Sequence, residues 1–267
     1  MAQIDRRILY WVLFLILIIP PLKPLGLPLT VSPSTKGFYQ FIESLGPDDI
    51  CVFSISGGVS AWPEILPGMI ATVRHYVKQD VDFVVWGTFL DMSMSWEEIK
   101  KNIPEINDLE YGVDYVYVGY LAGGETVIKQ LAEDTPVVVK ADGYGTPVSE
   151  LPLMNRIMSW KDISLVVSTD TGDAGLWYVR HWNAPHGVPV GINGIAMFGS
   201  EWMPLYFAGQ LMGLLVGVRG AGEYEYLLKA FGPATRGLDA LNVSHILVIA
   251  AVILANIGMI MTRKEVK

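Results

Sequence analysis

Two small polar loops hold the residue types best suited to bind a ligand: Ser56-Gly57-Gly58-Val59-Ser60 and Ser168-Thr169-Asp170-Thr171-Gly172-Asp173. Each follows a run of β-forming apolar residues and leads into a helical stretch. At that position the free backbone N–H groups of a helix start can hold an anion. Neither loop is a dinucleotide fingerprint or a P-loop, because no GK[ST] follows Gly57-Gly58. Tight strand-to-helix turns also use these residues for steric reasons. The expected ligand-binding set is Ser56, Gly57, Gly58, Thr169, Asp170, Thr171 and Asp173. The turn cluster at 142–147 adds Asp142 and Tyr144 if it lies over the same sheet edge. Asp142, Tyr144, Asp170 and Asp173 would then make an oxygen-rich pocket for a hard cation such as Ca²⁺, although their spacing matches no Ca²⁺ loop. A further glycine-rich turn, Gly119 to Thr126, places Glu125 in the first turn of a helix, where a carboxylate complements the helix dipole.

Signatures of catalysis are missing. His75, His181, His186 and His245 show no metal-ligand spacing. No Gly-x-Ser-x-Gly elbow is present, and Ser54 and Ser56 lack an evident base. Cys51 is the only cysteine and sits in an apolar run, so an intrachain disulfide is excluded and the thiol reads as a small buried hydrophobe. No metal and no cofactor is expected.

Charge narrows the partners. Between residues 24 and 243 there are 13 Lys and Arg against 25 Asp and Glu, a net charge near −12 where the whole chain carries −8. Such a domain repels phosphate backbones, which excludes nucleic acid, and suits anionic lipid poorly.

The elements that must position these loops follow from hydrophobic patterning. Apolar, β-rich runs occur at 50–56, 81–86, 113–119, 163–168 and 188–192, with a shorter sixth strand at 137–139. Helical patterns lie between them at 39–45, 64–78, 96–101, 124–133, 151–159 and 174–182. Near-continuous apolar strands alternating with helices predict a parallel sheet covered on both faces. The fold class expected is α/β, a Rossmann-like doubly wound, mostly parallel sheet.

Two terminal stretches suit a bilayer. Residues 8–22 follow Arg6-Arg7, and residues 241–261 stop at Arg263-Lys264. Basic flanks stay on the cytoplasmic side, so both termini are expected to be cytoplasmic and the central domain extracytoplasmic. The first span is short: the 15 residues between Arg7 and Lys23 give about 22 Å of helix. No small-x-small cleavage site follows it, which favours a signal anchor over a cleaved leader. The expected domains are an anchor at 1–23, a Pro-rich extended lead-out at 24–36 and the α/β domain at 37–200. An apolar glycine-rich helix and a short amphipathic helix at 201–240 precede the last span and cytoplasmic tail at 241–267.

The uncharged run 202–218 carries Gly209, Gly213 and Gly217 four residues apart, which on one helix would make a small-residue face for helix packing. Ala251, Ala255 and Asn256 give the last span a similar face. On these grounds the expected function is a scaffolding protein that self-assembles in the membrane, alone or with other membrane subunits. Replacing Gly213 by Leu is expected to break the oligomer and spare the domain. The alternatives are a small-molecule receptor or sensor that uses the two polar loops, and a membrane-bound hydrolase or transferase that uses Asp142, Asp170 or Asp173.

Overall fold

Strand β1 (Ile50–Ser56) is buried along its whole length, and its neighbours build outward from it. In the computed structural model, which describes residues 6–22 and 29–265, helix α1 spans Arg6–Leu22 and α2 spans Pro33–Glu43. β1 is followed by α3 (Trp62–Gln79), β2 (Asp82–Gly87), α4 (Met92–Asn102) and β3 (Tyr115–Tyr120). Helix α5 (Glu125–Glu133) and the one-turn helices α6 (Thr135–Val138) and α7 (Pro152–Asn155) lead to β4 (Leu165–Asp170). Then come α8 (Ala174–Tyr178), a π-helical turn at Val179–Asn183, α9 (Ala184–His186) and β5 (Val190–Gly194). The last elements are α10 (Gly199–Phe207), β6 (Gly213–Val216), α11 (Gly217–Leu228) and α12 (Pro233–Glu265).

The six strands form one parallel sheet in the order β3-β2-β1-β4-β5-β6. Alternation along the strands sends Val52, Val84, Trp86 and Val166 to one face, under α5, α7, α8 and α10. Cys51, Phe53, Val85 and Val167 go to the other, under α2, α3, α4 and α11. Both faces are therefore covered, as the unbroken apolar runs require.

The five strands expected between residues 50 and 192 are present within two residues at each end, but 137–139 is not a strand. Asp134 caps α6 by accepting from the Val137 amide at 3.1 Å, and Pro136 sits in its first turn. The helix expected over 151–159 is only the single turn α7. The Asp162 carboxylate accepts from the amides of Met158 and Ser159, capturing N–H groups that would otherwise continue the helix. Pro33 to Thr35, expected in the extended lead-out, opens α2 instead. Ser32 is its N-cap and Pro33 occupies the first turn, where a missing N–H costs nothing; residues 23–28 of that lead-out lie outside the described residues.

The largest correction concerns 202–218, which is not one helix. Helix α10 ends at Ala208 and Gly209, with the Gly209 φ at +74°, and Gly213 begins the sixth strand. Gly217 opens α11 with φ at +57°. The three glycines therefore share no helix face, and each answers a different local need. A Cβ on Gly213 would lie 2.4 Å from the Phe38 backbone, so this glycine lets α2 rest on the sheet. A four-residue apolar strand between glycines carries no periodicity that separates it from helix. The α/β unit consequently extends past residue 200, since β6 and α11 belong to it.

Among the described residues one helix is long and apolar enough to cross a membrane, over Pro233–Ile257. The N-terminal apolar stretch, Tyr10–Ile19, is shorter, so of the two spans expected only the C-terminal helix has the length and composition for one, and α1 packs beside it. The first two turns of α12 belong to the domain, where Ala234, Thr235, Leu238, Asp239 and Ala240 are buried.

A helical Gly213 would gain stability on substitution by Ala, by up to about 1 kcal/mol. The observed contact with Phe38 predicts the opposite sign. Gly213→Ala is expected to destabilise the domain by about 1–3 kcal/mol through overpacking, as a lowered midpoint in thermal unfolding followed by circular dichroism. An unchanged or raised midpoint contradicts the strand assignment.

Candidate functional site

Strand order reverses between β1 and β4, the position at which open parallel sheets present a crevice at their carboxyl ends. The two polar loops meet there. Ser56 is in register with Asp170, and a Cβ on Gly57 would stand 3.2 Å from Thr171 Cγ2. Glycine at 57 is what permits this approach, because the same Cβ would also strike Ile65 at 2.6 Å. The structure thus brings together Ser56, Gly57, Gly58, Thr169, Asp170, Thr171 and Asp173.

By strand alternation Ser54, Ser56, Ser168 and Asp170 share the face under α8. Ser54 Oγ and Ser56 Oγ are 3.2 Å apart, and the Thr88 hydroxyl donates to Ser56 Oγ at 3.0 Å. Trp86 Nε1 donates to the Tyr178 hydroxyl at 2.8 Å. Thr169 faces the opposite side, toward α3, in register with Asn193. Asn193 Nδ2 donates to the Ile65 carbonyl at 2.9 Å, while Ser168 Oγ, Thr169 Oγ1 and Asn193 Oδ1 are buried without a hydrogen-bond partner among the described residues.

Asp170 dominates the electrostatics. Its carboxylate accepts from the amides of Gly172 at 2.8 Å and Gly175 at 2.5 Å. Burial pushes its pKa up to about 6, against the opposing pull of those N–H groups. The carboxylate therefore occupies the amides at the start of α8. Next to it, the Val59 amide donates to Asp91 at 3.0 Å, and the Ala196 amide beyond β5 donates to Glu64 at 2.8 Å. At three of the strand ends a chain carboxylate sits where a ligand phosphate would go. A phosphate arriving at this edge meets negative charge and finds these donors taken.

Asp142 and Tyr144 are not part of this cluster. Their turn lies along the outer edge of β3, where the Gly143 amide donates to the Tyr117 carbonyl at 2.7 Å. Three strand spacings separate β3 from β4, roughly 14 Å. Asp142 accepts from the Tyr111 hydroxyl at 2.5 Å and from the amides of Tyr144 and Thr146 at 2.9 and 2.7 Å. Burial raises its pKa, but these hydrogen bonds outweigh it and leave the carboxyl below its usual value. Its role is to close a turn. Among the described residues no group of three or more His, Cys, Asp or Glu is placed to hold a metal ion, and the oxygen-rich pocket is not assembled. Glu125 stands in the first turn of α5, as expected, and also accepts from Arg180 and from His181 Nε2, tying α5 to the π-helical turn.

Several polar residues escaped sequence reasoning. His75 is fully buried, with Nδ1 2.7 Å from the Tyr224 hydroxyl and Nε2 2.8 Å from Glu43; burial lowers its pKa to about 4. Glu223 accepts from the Ser32 amide at 2.9 Å and the Ser32 hydroxyl at 2.6 Å. Glu225 accepts from the amides of Gly232 at 3.0 Å and Thr235 at 2.8 Å, and from the Thr235 hydroxyl at 2.7 Å. These partners lie 7 to 191 residues apart in sequence, and no local motif marks them. A groove of about 670 Å³ runs beside the crevice between α3 and α12, lined by Val59, Trp62, Leu66, Val218 and Gly237. Comparison of the chain with protein-family models, curated proteins and solved structures returns no match.

The raised Asp170 pKa has a definite consequence for stability. A carboxyl whose folded pKa lies above its unfolded value contributes stability that is full below about pH 4 and lost as pH rises through about 6. The shift from 3.8 to about 6 corresponds to roughly 3 kcal/mol. Asp170→Asn is expected to flatten the change in unfolding free energy between pH 4 and pH 7 by that order, whatever its effect on the absolute value. Denaturant unfolding at a series of pH values measures it, and an unaltered slope refutes the assignment.

Proposed function

We propose that this protein is a membrane-tethered structural subunit: a Rossmann-like α/β platform held rigidly to the helix pair α1 and α12 and assembling through α12 into a larger complex. In this reading both termini are cytoplasmic and the platform lies outside the cytoplasm. The observation that carries it is the joint between platform and helices. Glu223 and Glu225, two residues apart on α11, hold the start of α2 and the start of α12. A buried carboxylate at each connection suits a protein whose task is to fix one body relative to another. Ala251, Ala255 and Asn256, on the projecting part of α12, supply the contact surface; Asn256 Nδ2 donates within its own helix, to the Val252 carbonyl at 3.0 Å, and its carbonyl oxygen can accept from a neighbouring helix.

A receptor or sensor is the second reading, favoured by the convergence of the β1 and β4 loops. The same rigid joint would transmit occupancy of that crevice to α12. Because the α8 amides are already bonded to Asp170, its ligand would be neutral or cationic.

Two measurements test the structural reading. The full chain in mild detergent is expected to have a light-scattering mass, corrected for detergent, several times 29.5 kDa, and Ala255→Leu should reduce it without changing the circular dichroism of the domain. A monomeric wild type removes this reading and turns attention to the crevice. Glu225→Ala should unlock the joint. Leaving buried N–H groups unpaired costs about 1–3 kcal/mol, so amide exchange at 232–235 is expected to accelerate by about tenfold or more while exchange in β1 stays slow. Unchanged exchange there contradicts a rigid joint.

A further inference from the structure

Helix α12 leaves the domain in a definite direction. It runs antiparallel to α11: Thr235 meets Glu225, a Cβ on Gly222 would touch Leu238 at 2.4 Å, and one on Gly237 would reach Val218 at 3.8 Å. Val218 lies just beyond β6, at the carboxyl edge of the sheet. Past Leu241 the helix therefore projects beyond that edge, with Ile246, Val248, Ile249 and Leu254 exposed. The chain also enters α2 at this edge, where Ser32 bonds Glu223 and Ser34 stands near Val216 and Arg219.

The loops on this edge differ in composition from those on the other. The five connections at 57–61, 88–91, 121–124, 171–173 and 195–198 contain no basic residue, and only Asp91 and Asp173 are acidic. Asp91 is bonded to the Val59 amide. Leu90 is 79% exposed, Met197 73% and Phe89 42%; Phe207 and Met158 are also exposed at the opposite edge, so the two edges differ in their charged loop residues and not in apolar exposure. Glu64, Glu125, Glu201 and Arg219 stand in the first helical turns behind the tips, Glu64 bonded to the Ala196 amide and Glu125 to Arg180. The opposite edge carries Asp48, Asp49, Asp80, Asp108, Glu110 and Asp114. Exposed apolar tips whose neighbouring carboxylates Asp91, Asp170 and Glu64 are bonded to backbone amides, at the point where an apolar helix departs, fit a membrane interface better than water.

We propose that the carboxyl edge of the sheet is seated on the lipid surface, with Phe89, Leu90 and Met197 in the interfacial layer of the bilayer that α12 enters. This inference rests on the membrane reading above and adds the orientation of the platform: the crevice faces the membrane and the acidic edge faces water. A ligand at the crevice would accordingly approach along the lipid surface.

Cys51 is fully buried, so an introduced cysteine is the reactive thiol. The full chain carrying Leu90→Cys, Met197→Cys or, as the control on the acidic edge, Met158→Cys is labelled with an environment-sensitive fluorophore. It is then reconstituted in phosphatidylcholine vesicles with and without a shallow spin-labelled phosphatidylcholine. Blue-shifted emission and several-fold stronger lipid quenching at 90 and 197 than at 158 are expected. Vesicles that carry the protein on flotation while all three sites emit as in water overturn the seating and leave the membrane reading intact. A blue shift at 90 and 197 without lipid quenching means that protein, such as a second copy, covers the edge, and also overturns it. Failure to float with the vesicles overturns both readings.

Discussion

The backbone N–H groups at the strand-end turns and helix starts of a parallel sheet have no partner in the sheet or helix ladders, and that constraint shapes the rest of this molecule. They need acceptors from side chains or water. Here carboxylates supply many of them: Asp170 at α8, Asp91 at the turn after β1, Glu64 beyond β5, Glu223 at Ser32 and Glu225 at α12. Some of the domain's charge, which in the sequence bears mainly on partners, is internal: Asp142, Asp170, Glu223, Glu225 and Asp239 are buried. A carboxylate bonded to several amides shares its charge with their dipoles, so an acidic composition and a dry sheet coexist.

The same device explains why the crevice does not read as a nucleotide site. Its topology is of the kind that cradles phosphate, and Gly57 allows the backbone approach such sites use. Yet Asp170 occupies the α8 donors and is nearly fully buried. Desolvation opposes its charge while the amide bonds favour it, and desolvation wins. A group in that balance stabilises the fold most in acid, which marks a local cost accepted at this turn. Ser168, on the same face and without a partner for its hydroxyl, points to the same incomplete satisfaction of polar groups where the strand order reverses.

Much of this was legible in the sequence, for a reason that also sets the limit. β1, β2, β3, β4 and β5 are strands of five to seven residues built around short apolar, β-rich runs, and burial on both faces leaves that pattern little ambiguity. The place of the Ser56–Gly58 and Thr169–Asp173 loops after strands was legible, but the adjacency of β1 and β4 that brings them together was not. β6 was not legible, because four residues between two glycines fit a helix as well as a strand, and only the approach of Phe38 decides. Asp142 misled for the opposite reason: its composition suits a cation, but its partners are Tyr111 and its own turn. Three of the carboxylate joints, at Asp91, Glu64 and Glu223, depend on contacts between residues far apart in sequence that no local pattern encodes.

The position of those joints gives the architecture its direction. Ser32 and the start of α12 are fixed by neighbouring glutamates on one helix, so the two chain connections cannot move independently of the sheet. Because α12 runs antiparallel to α11, its exposed part departs past the carboxyl ends of the strands and not past the acidic ends. If α11 were displaced, both connections would move with it, and so would Gly222 and Leu238 at their contact. Helix α11 is thus the element through which any change at the strand ends would reach the projecting helix. Its near-complete burial from Gly220 to Glu225 leaves it little freedom to absorb such a change.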